Sequence, residues 1–583
     1  MGVRFIALVG NASQGQNDGT ADSIGGRLLA NGMECCLSTP SLRLFLPPSA
    51  PRLALPYPDH GLIVGPVFSK RGRPIEGTLP VLESAISLHD RLLDNFWGEY
   101  LAFQVDSGYG SGFTVLRDPS GGIPCYYALE RGRGFITSDI SLAIDLGLCH
   151  REVNWSAIAH ALAFPCLRTA RTALDHVSEL LPGCVMHHDE SGVRVRTAWS
   201  PWRYIARDQR HSDFSDAATH VRSAISMVVK AWASVTGKSV MEVSGGLDSS
   251  IVAACLSEAR ANTVCCTLMM PVAGSDERQY AKMLTDAIGH DLHTAHVGFN
   301  NAQFDVPTHS WAIVPSEGIL QRAVNDVWQA TAEEHGAHVF LSGGGGDSIF
   351  CYLRTAAPAA DAFKERGLAA AAVAVRDLAL LHQCTFWKAA RLTAKKLMRR
   401  RAPVLKTDAS FLNPANVPQR CDAHPWLEAP PDALPGDREK VLDLTGTQFF
   451  RDATPRGEGR SICFPLLSQP VMEACLRVPT WMWIAQGLNR AVARAAFAGK
   501  LPDGILYRRS KGSHAGYMAE VYTRNKDAMQ QFLGEGRLRS RDLLDWPALE
   551  RYFGSDVAAR DLSFTRIFDL CMVESWVRGQ APS

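Results

Sequence analysis

Two glycine-rich stretches have the residue types and spacing to hold phosphate. The first, Val243-Ser244-Gly245-Gly246-Leu247-Asp248-Ser249-Ser250, follows a short apolar run and leads into a stretch of small and apolar residues. A Ser/Gly turn between a strand and a helix lets backbone N–H groups converge on an anion, and the helix N-terminus adds partial positive charge. Val243, Ser244, Gly245, Gly246, Ser249 and Ser250 are therefore candidate ligands of a pyrophosphate. Asp248 would repel phosphate unless a divalent cation lies between them, so the stretch implies Mg²⁺ together with a nucleotide. Ser-Gly-Gly alone is equally an ordinary turn that caps a helix. No Gly-Lys-Ser/Thr follows, so this is not a Walker loop. The second stretch is Ser342-Gly343-Gly344-Gly345-Gly346-Asp347-Ser348. Four consecutive glycines cost chain entropy, and close backbone approach to a ligand would account for them. Asp347 by itself reads equally well as a helix cap.

The elements that must position these loops follow from the patterning around them. Residues 238–243, 264–270, 293–298 and 338–341 read as strands, and 249–259, 276–288 and 321–335 as helices. That alternation predicts an open parallel α/β sheet, in which ligands bind beyond the carboxyl ends of the strands. Both glycine stretches leave a strand at that end. Before residue 205 the pattern differs. Short β-type runs at 4–9, 61–68, 100–105, 112–116, 134–136 and 183–188 are separated by Gly and Pro, which predicts a domain of stacked sheets. The change falls near Trp199-Ser200-Pro201-Trp202 and a polar stretch at 207–216, giving domains 1–205 and 206–583. Within the second, a variable segment at 355–440 carries no clear pattern. Its basic run Lys395-Lys396-Leu397-Met398-Arg399-Arg400-Arg401 reads as a solvated helix face or as a docking surface for a peptide or protein partner.

Composition narrows the class. A chain of 583 residues with 60 Lys+Arg against 59 Asp+Glu is too long for one core and too balanced in charge to seek nucleic acid or membrane as its main partner. The 15 cysteines include no CxxC pair and no Cys/His metal spacing, so reduced thiols and a cytoplasmic location are expected. No apolar run approaches the length of a membrane span.

The first loop resembles the pyrophosphate loop of ATP-pyrophosphatases that adenylate a substrate, above all the asparagine synthetase family, and the second resembles that family's second ATP motif. The resemblance implies ATP split between the α and β phosphates, with Asp248 and Asp347 sharing Mg²⁺. It also implies Ser342 and Gly343 beside the adenosine, and Leu268 and Met269 against the adenine. Ser275-Asp276-Glu277 would start the next helix. Arg477-Val478-Pro479, Asn489-Arg490-Ala491 and residues 501–512 follow the order of the family's C-terminal half, and Lys511 matches the position of its catalytic lysine. In the first domain, Phe96-Trp97-Gly98-Glu99-Tyr100, Arg117-Asp118-Pro119-Ser120-Gly121-Gly122 and Leu181-Pro182-Gly183 resemble the family's class II glutamine-amidotransferase half.

One departure redirects the reaction. That half exposes a cysteine directly after the initiator Met, and here the position is Gly2, with no thiol in the first thirty residues. The expectation is an inactive glutaminase domain and an amine supplied by the substrate itself. Relatives of that kind include β-lactam synthetases and the lasso-peptide macrolactam synthetases, or lasso cyclases. Gly344 stands where asparagine synthetases carry a Glu, which implies less charge and bulk beside the nucleotide and a larger acyl substrate. The glycine run followed by Asp-Ser-Ile-Phe-Cys is most similar to the lasso cyclases. The resemblance thus implies attack by a core peptide's N-terminal amine on its own adenylated Asp or Glu side chain. A leader peptidase and a leader-recognition protein are the implied partners, and the 355–440 segment with the first domain would wall the cavity that holds the peptide. β-Lactam closure, ammonia-dependent amidation of a small amino acid and a non-catalytic ATP-binding scaffold remain the alternatives. Glu317 and Glu458 are candidate bases, each equally a structural carboxylate.

Overall fold

The computed structural model describes residues 3–10, 19–56, 60–81, 87–106, 112–165, 167–305, 309, 311–315, 318–398, 405–452, 460–509, 512, 514–555 and 561–580. The first fourteen strands are β1 (Ile6–Val9), β2 (Glu34–Ser38), β3 (Leu42–Leu46), β4 (Arg52–Ala54), β5 (His60–Val64), β6 (Val67–Ser69), β7 (Phe96–Gly98), β8 (Leu101–Val105), β9 (Phe113–Arg117), β10 (Tyr126–Glu130), β11 (Arg133–Thr137), β12 (Ser178–Glu179), β13 (Cys184–Asp189) and β14 (Gly192–Thr197). They build two antiparallel sheets, β12-β10-β11-β1-β3-β2 and β14-β13-β9-β8-β5-β4, with β6 and β7 paired apart. The inner faces meet in a core that includes Phe5, Leu44, Val64, Phe103, Val115 and Met186. Alternation along each strand puts one set of side chains into that core and the other set outside it. The stacked-sheet domain expected from the Gly/Pro-separated runs is present.

The motifs of this domain are explained by its folding. Asp118 is fully buried and accepts hydrogen bonds from the backbone N–H groups of Tyr100 (3.1 Å), Ser120 (2.7 Å) and Gly121 (3.1 Å). Arg117 donates to Glu179 (2.8 Å) and to the carbonyl of Leu180 (2.6 Å). Gly183 takes up a left-handed φ of 73° and donates to the Arg117 carbonyl (3.1 Å), tying the Leu-Pro-Gly turn to the Arg-Asp motif.

The second half is a parallel sheet of β15 (Ser239–Glu242), β16 (Thr263–Met269), β17 (Leu292–His296), β18 (Val339–Leu341) and β19 (Ser461–Cys463), in the order β17-β16-β15-β18-β19. Val240/Met241, Cys265/Cys266 and Phe340/Leu341 each split between the two faces, as a two-residue period requires. Helices cover both faces, beginning with Phe214–Thr236, whose first turn is capped by Asp213 accepting from the N–H groups of Ser215 and Asp216. The parallel α/β rhythm read from the sequence is the one found. The variable segment holds three consecutive helices, Ala357–Arg366, Leu368–Leu381 and Phe386–Met398. No helix among the described residues is long and apolar enough to cross a membrane, and the described cysteines are all unpaired.

Candidate nucleotide site

The Ser-Gly-Gly loop leaves β15 and feeds the helix Leu247–Glu258. Val243 extends the strand, its N–H donating to the Cys266 carbonyl at 2.8 Å. Gly245 has φ of 64°, and a Cβ there would stand 2.3 Å from that of Tyr280, so only glycine fits the turn. The Ser244 hydroxyl accepts from Gly246 N–H (3.4 Å) and lies 3.1 Å from the Ser249 hydroxyl, which closes the loop on the helix N-terminus. Ser250 is fully buried and its hydroxyl makes no hydrogen bond, so of the two serines after Asp248 it is Ser249 that turns to the loop.

The second loop lies directly on the first. Ser342 donates its N–H to the Cys463 carbonyl (3.1 Å) and its hydroxyl accepts from Gly344 N–H (3.2 Å). A Cβ on Gly343 would come within 2.5 Å of the Ser249 nitrogen, and one on Gly346 within 2.5 Å of the Asp248 carboxyl carbon. The glycine run is therefore a matter of loop-on-loop contact as well as of ligand approach. Gly344 corrects one expectation: its missing side chain opens no space for a larger substrate, because the rings of Phe464 and Phe450 would stand 2.8 and 3.0 Å from a Cβ there. What replaces a charged side chain is an aromatic wall.

Asp248 and Asp347 meet on one cation. The Arg490 guanidinium lies 3.0 Å from both oxygens of Asp248 and 2.8 Å from Asp347 Oδ1. Two carboxylates that converge on a single nitrogen are spaced as a shared divalent cation needs, so the donor set fits Mg²⁺. The sequence marks Arg490 only as the middle of the Asn489-Arg490-Ala491 motif and gives it no role at the site. It caps the helix Ala491–Ala496 in a left-handed conformation (φ 52°) and reaches back across more than two hundred residues. Behind it, Arg494 donates to Asn489 and to the Leu506 carbonyl, and its pKa is pushed down to about 10 by burial and then by the neighbouring Arg490. Asp443 is pushed up to about 6, by desolvation first and then by the charges of Glu439 and Asp347.

Lys511 lies outside the described residues, as do Glu317 and Glu458. Its neighbours are held at the first loop. Arg508 stacks on the Tyr280 ring at 3.6 Å and donates to the Gly245 carbonyl (3.1 Å) and to Glu277 (2.7 Å). The same Glu277 oxygen accepts from Gly512 N–H at 2.8 Å. Glu277 ends the turn that starts the helix Arg278–Ile288, where the sequence puts the start of the next helix. Met269 closes β16, and its carbonyl accepts from Val297 N–H (2.9 Å).

Among the described residues, the first domain reaches this site through residues 447–452. Arg451 donates to Glu99 (2.6 Å) and to the Ser120 carbonyl (2.9 Å), and Asp452 pairs with Arg168, itself paired with Glu179. Those ion pairs hold residues 447–452, whose Phe450 lies against Gly344. Beside them a cleft of about 640 Å³ runs between the sandwich and the edge strand β19, lined among others by Arg52, Phe68, Glu99, Ile123, Arg451 and Cys463. No described residue of the 355–440 segment is among its lining residues.

Comparison with known proteins decides the family. The asparagine synthase family matches residues 220–578, more than half of the chain. This chain belongs to the asparagine synthase family. It is an ATP-dependent, AMP-forming carbon–nitrogen ligase, and ATP-dependent amide-bond formation is its general reaction. The family uses ATP, typically with Mg²⁺. No curated protein matches the sequence. Two similar solved structures are the "allosteric regulatory enzyme of purine biosynthesis" and the glutamine phosphoribosylpyrophosphate (PRPP) amidotransferase from B. subtilis complexed with ADP and GMP. Each is 11% identical with a TM-score of 0.21. The first covers 51% of this chain and 76% of its own length, the second 58% and 84%.

Proposed function

We propose that this ligase is a lasso-peptide cyclase. An Asp or Glu side chain of a core peptide attacks the α-phosphorus of ATP, pyrophosphate leaves, and the peptide's N-terminal amine displaces AMP from the acyl-adenylate to close a macrolactam. The observation that carries this reading is a half in which Asp248 and Asp347 converge on Arg490, joined to an amidotransferase-like half that has Gly2 where a glutaminase nucleophile would follow the initiator Met. The sequence has no cysteine before Cys35. Cys125 and Cys184, at the sandwich core, are pushed up to about 12 by burial, and Cys35 and Cys36 sit on the edge strand β2. A ligase that cannot free ammonia from glutamine must take its amine elsewhere, and an intramolecular amine is already at high effective concentration. An α-amine with an ordinary pKa of about 8 needs only modest help from a base near neutrality.

In this reading Val243, Ser244, Gly245, Gly246, Ser249 and Ser250 form the pyrophosphate loop and its support, with Ser342, Gly343 and Met269 beside the nucleoside. Asp248 and Asp347 would hold Mg²⁺, which offsets phosphate charge when bound. Lys511 would neutralise charge developing on the α-phosphate, where a preorganised cation acts most strongly. The first domain serves as a strut that sets Phe450 against the second loop. A leader peptidase and a leader-recognition protein would deliver the freed core peptide in the cytoplasm.

The test is exchange of labelled pyrophosphate into ATP. Exchange should require a core peptide with an acidic ring residue and stop when that residue is Asn or Gln. Glutamine labelled on its amide nitrogen should transfer no label to any product. ADP formation, or exchange supported by free amino acids alone, contradicts the reading.

A further inference from the structure

We propose that the outward face of the helices Leu368–Leu381 and Phe386–Met398 rests on an anionic lipid surface. Of the sixteen exposed large apolar side chains among the described residues, eight lie between Phe363 and Met398. Trp387 is 78% exposed, Met398 76% and Leu368 76%. The helix Phe386–Met398 is packed inside out: it buries Ala389 and Thr393 and turns Trp387, Leu392 and Met398 outward. Leaving the large residues in water while burying small ones forgoes apolar burial, which a surface that covers them would recover.

The charge on this face has one sign. Arg376, Lys388, Arg391 and Lys395 are exposed. Of the two acids of the stretch, Asp377 is buried and pairs with Arg376 (3.5 Å), which leaves Lys388, Arg391 and Lys395 as the charge of the face, and Glu365 is paired with Arg210 and accepts from the Trp481 indole at 2.7 Å. Lys388, Arg391 and Lys395 recur about one turn apart beside Trp387 and Met398. That composition favours lipid over protein. Protein interfaces share the aromatic, Met and Arg content of this face but are depleted in Lys and Ala, and here Lys388 and Lys395 are exposed together with Ala369, Ala372 and Ala394. Helices that lie in a membrane interface combine Lys and Arg with Trp, Phe and Leu as this one does. The chain as a whole carries a net charge of only +1, so the attraction is local to this face. Each cation near an anionic bilayer raises partition about fivefold. The proposal is independent of the macrolactam reading, since none of these residues touches the nucleotide loops.

Sedimentation of the full chain with vesicles tests it. Vesicles of phosphatidylcholine mixed with phosphatidylserine should carry the protein down, and vesicles of phosphatidylcholine alone should not. The triple variant Lys388→Glu/Arg391→Glu/Lys395→Glu should lose about 100-fold or more in partition, with unchanged thermal unfolding and unchanged pyrophosphate exchange. Trp387→Ser should weaken binding several-fold and, with a salt titration that releases the wild type, carries the test should the triple variant not fold. Equal binding to both vesicle types, no binding to either, or variants that sediment like wild type overturn the proposal. So does a wild type that ignores vesicles and binds polyglutamate through the same three cations, which assigns the face to an acidic protein partner.

Discussion

Asp248→Asn and Asp347→Asn should each lower AMP and pyrophosphate formation by about 10²–10³-fold, the scale on which one preorganised charge-stabilising group acts. The two carboxylates converge on a single nitrogen of Arg490, so neither can be neutralised without unbalancing the other. Asparagine keeps the shape of the side chain and removes its charge, which separates metal and cation binding from packing. Asp248 is 13% exposed and closely packed by Gly346, so a small loss of stability is expected there, and Asp347, at 44%, should show none. Lys511→Ala belongs to the same series and should depress kcat far more than ATP binding, because its contact strengthens as charge develops. Steady-state kinetics with product analysis decides the matter. Turnover within a few-fold of wild type in either Asn variant would remove the shared-cation site from the account.

Arg451→Ala should destabilise the protein and impair the nucleotide site together. Arg451 is 7% exposed and its partner Glu99 18%, so removing the guanidinium strands a largely buried carboxylate, at a cost of about 3–5 kcal/mol. The same change removes one of the two ion-pair anchors of residues 447–452, leaving Asp452–Arg168, and so loosens Phe450, which packs against Gly344. Lower thermal stability and a raised KM for ATP are expected. Phe450→Ala should reproduce the KM effect with little loss of stability, since that ring is 40% exposed. An Arg451→Ala protein with wild-type unfolding and wild-type kinetics would show that the first domain is not a strut for the site.

The parts of this fold legible in the sequence are those whose physics is local. A strand, a Ser-Gly-Gly turn and a helix are consecutive, so the anion loop at 243–250 declares itself, and the second loop does so by its glycines. Arg490 is legible only as part of the Asn-Arg-Ala motif, because its reach to the carboxylates depends on a left-handed turn and a span of more than two hundred residues, which no spacing encodes. Gly344 was misjudged for a related reason. A glycine says that a Cβ is unwelcome, and only the tertiary structure says that Phe450 and Phe464 are what excludes it. The variable segment resisted reading because periodicity arguments assume that large apolar residues face inward. In the helix Phe386–Met398 the inward line is Ala389 and Thr393, and the pattern runs opposite to its packing. The Arg-Asp and Leu-Pro-Gly motifs of the first domain are visible as words, and their work in the fold is structural: Asp118 and Arg117 satisfy buried backbone groups.

The most direct test of the central claim is mass spectrometry of a leader-free core peptide incubated with the ligase, ATP and Mg²⁺, beside the same peptide acetylated at its N-terminus. The free peptide should lose one water, and fragmentation should place the new bond between the N-terminal amine and an Asp or Glu side chain. The acetylated peptide should be adenylated at most and form no ring. A ring formed from the blocked peptide, or turnover confined to free amino acids, would contradict the macrolactam reading and hand the site to small-molecule amide formation.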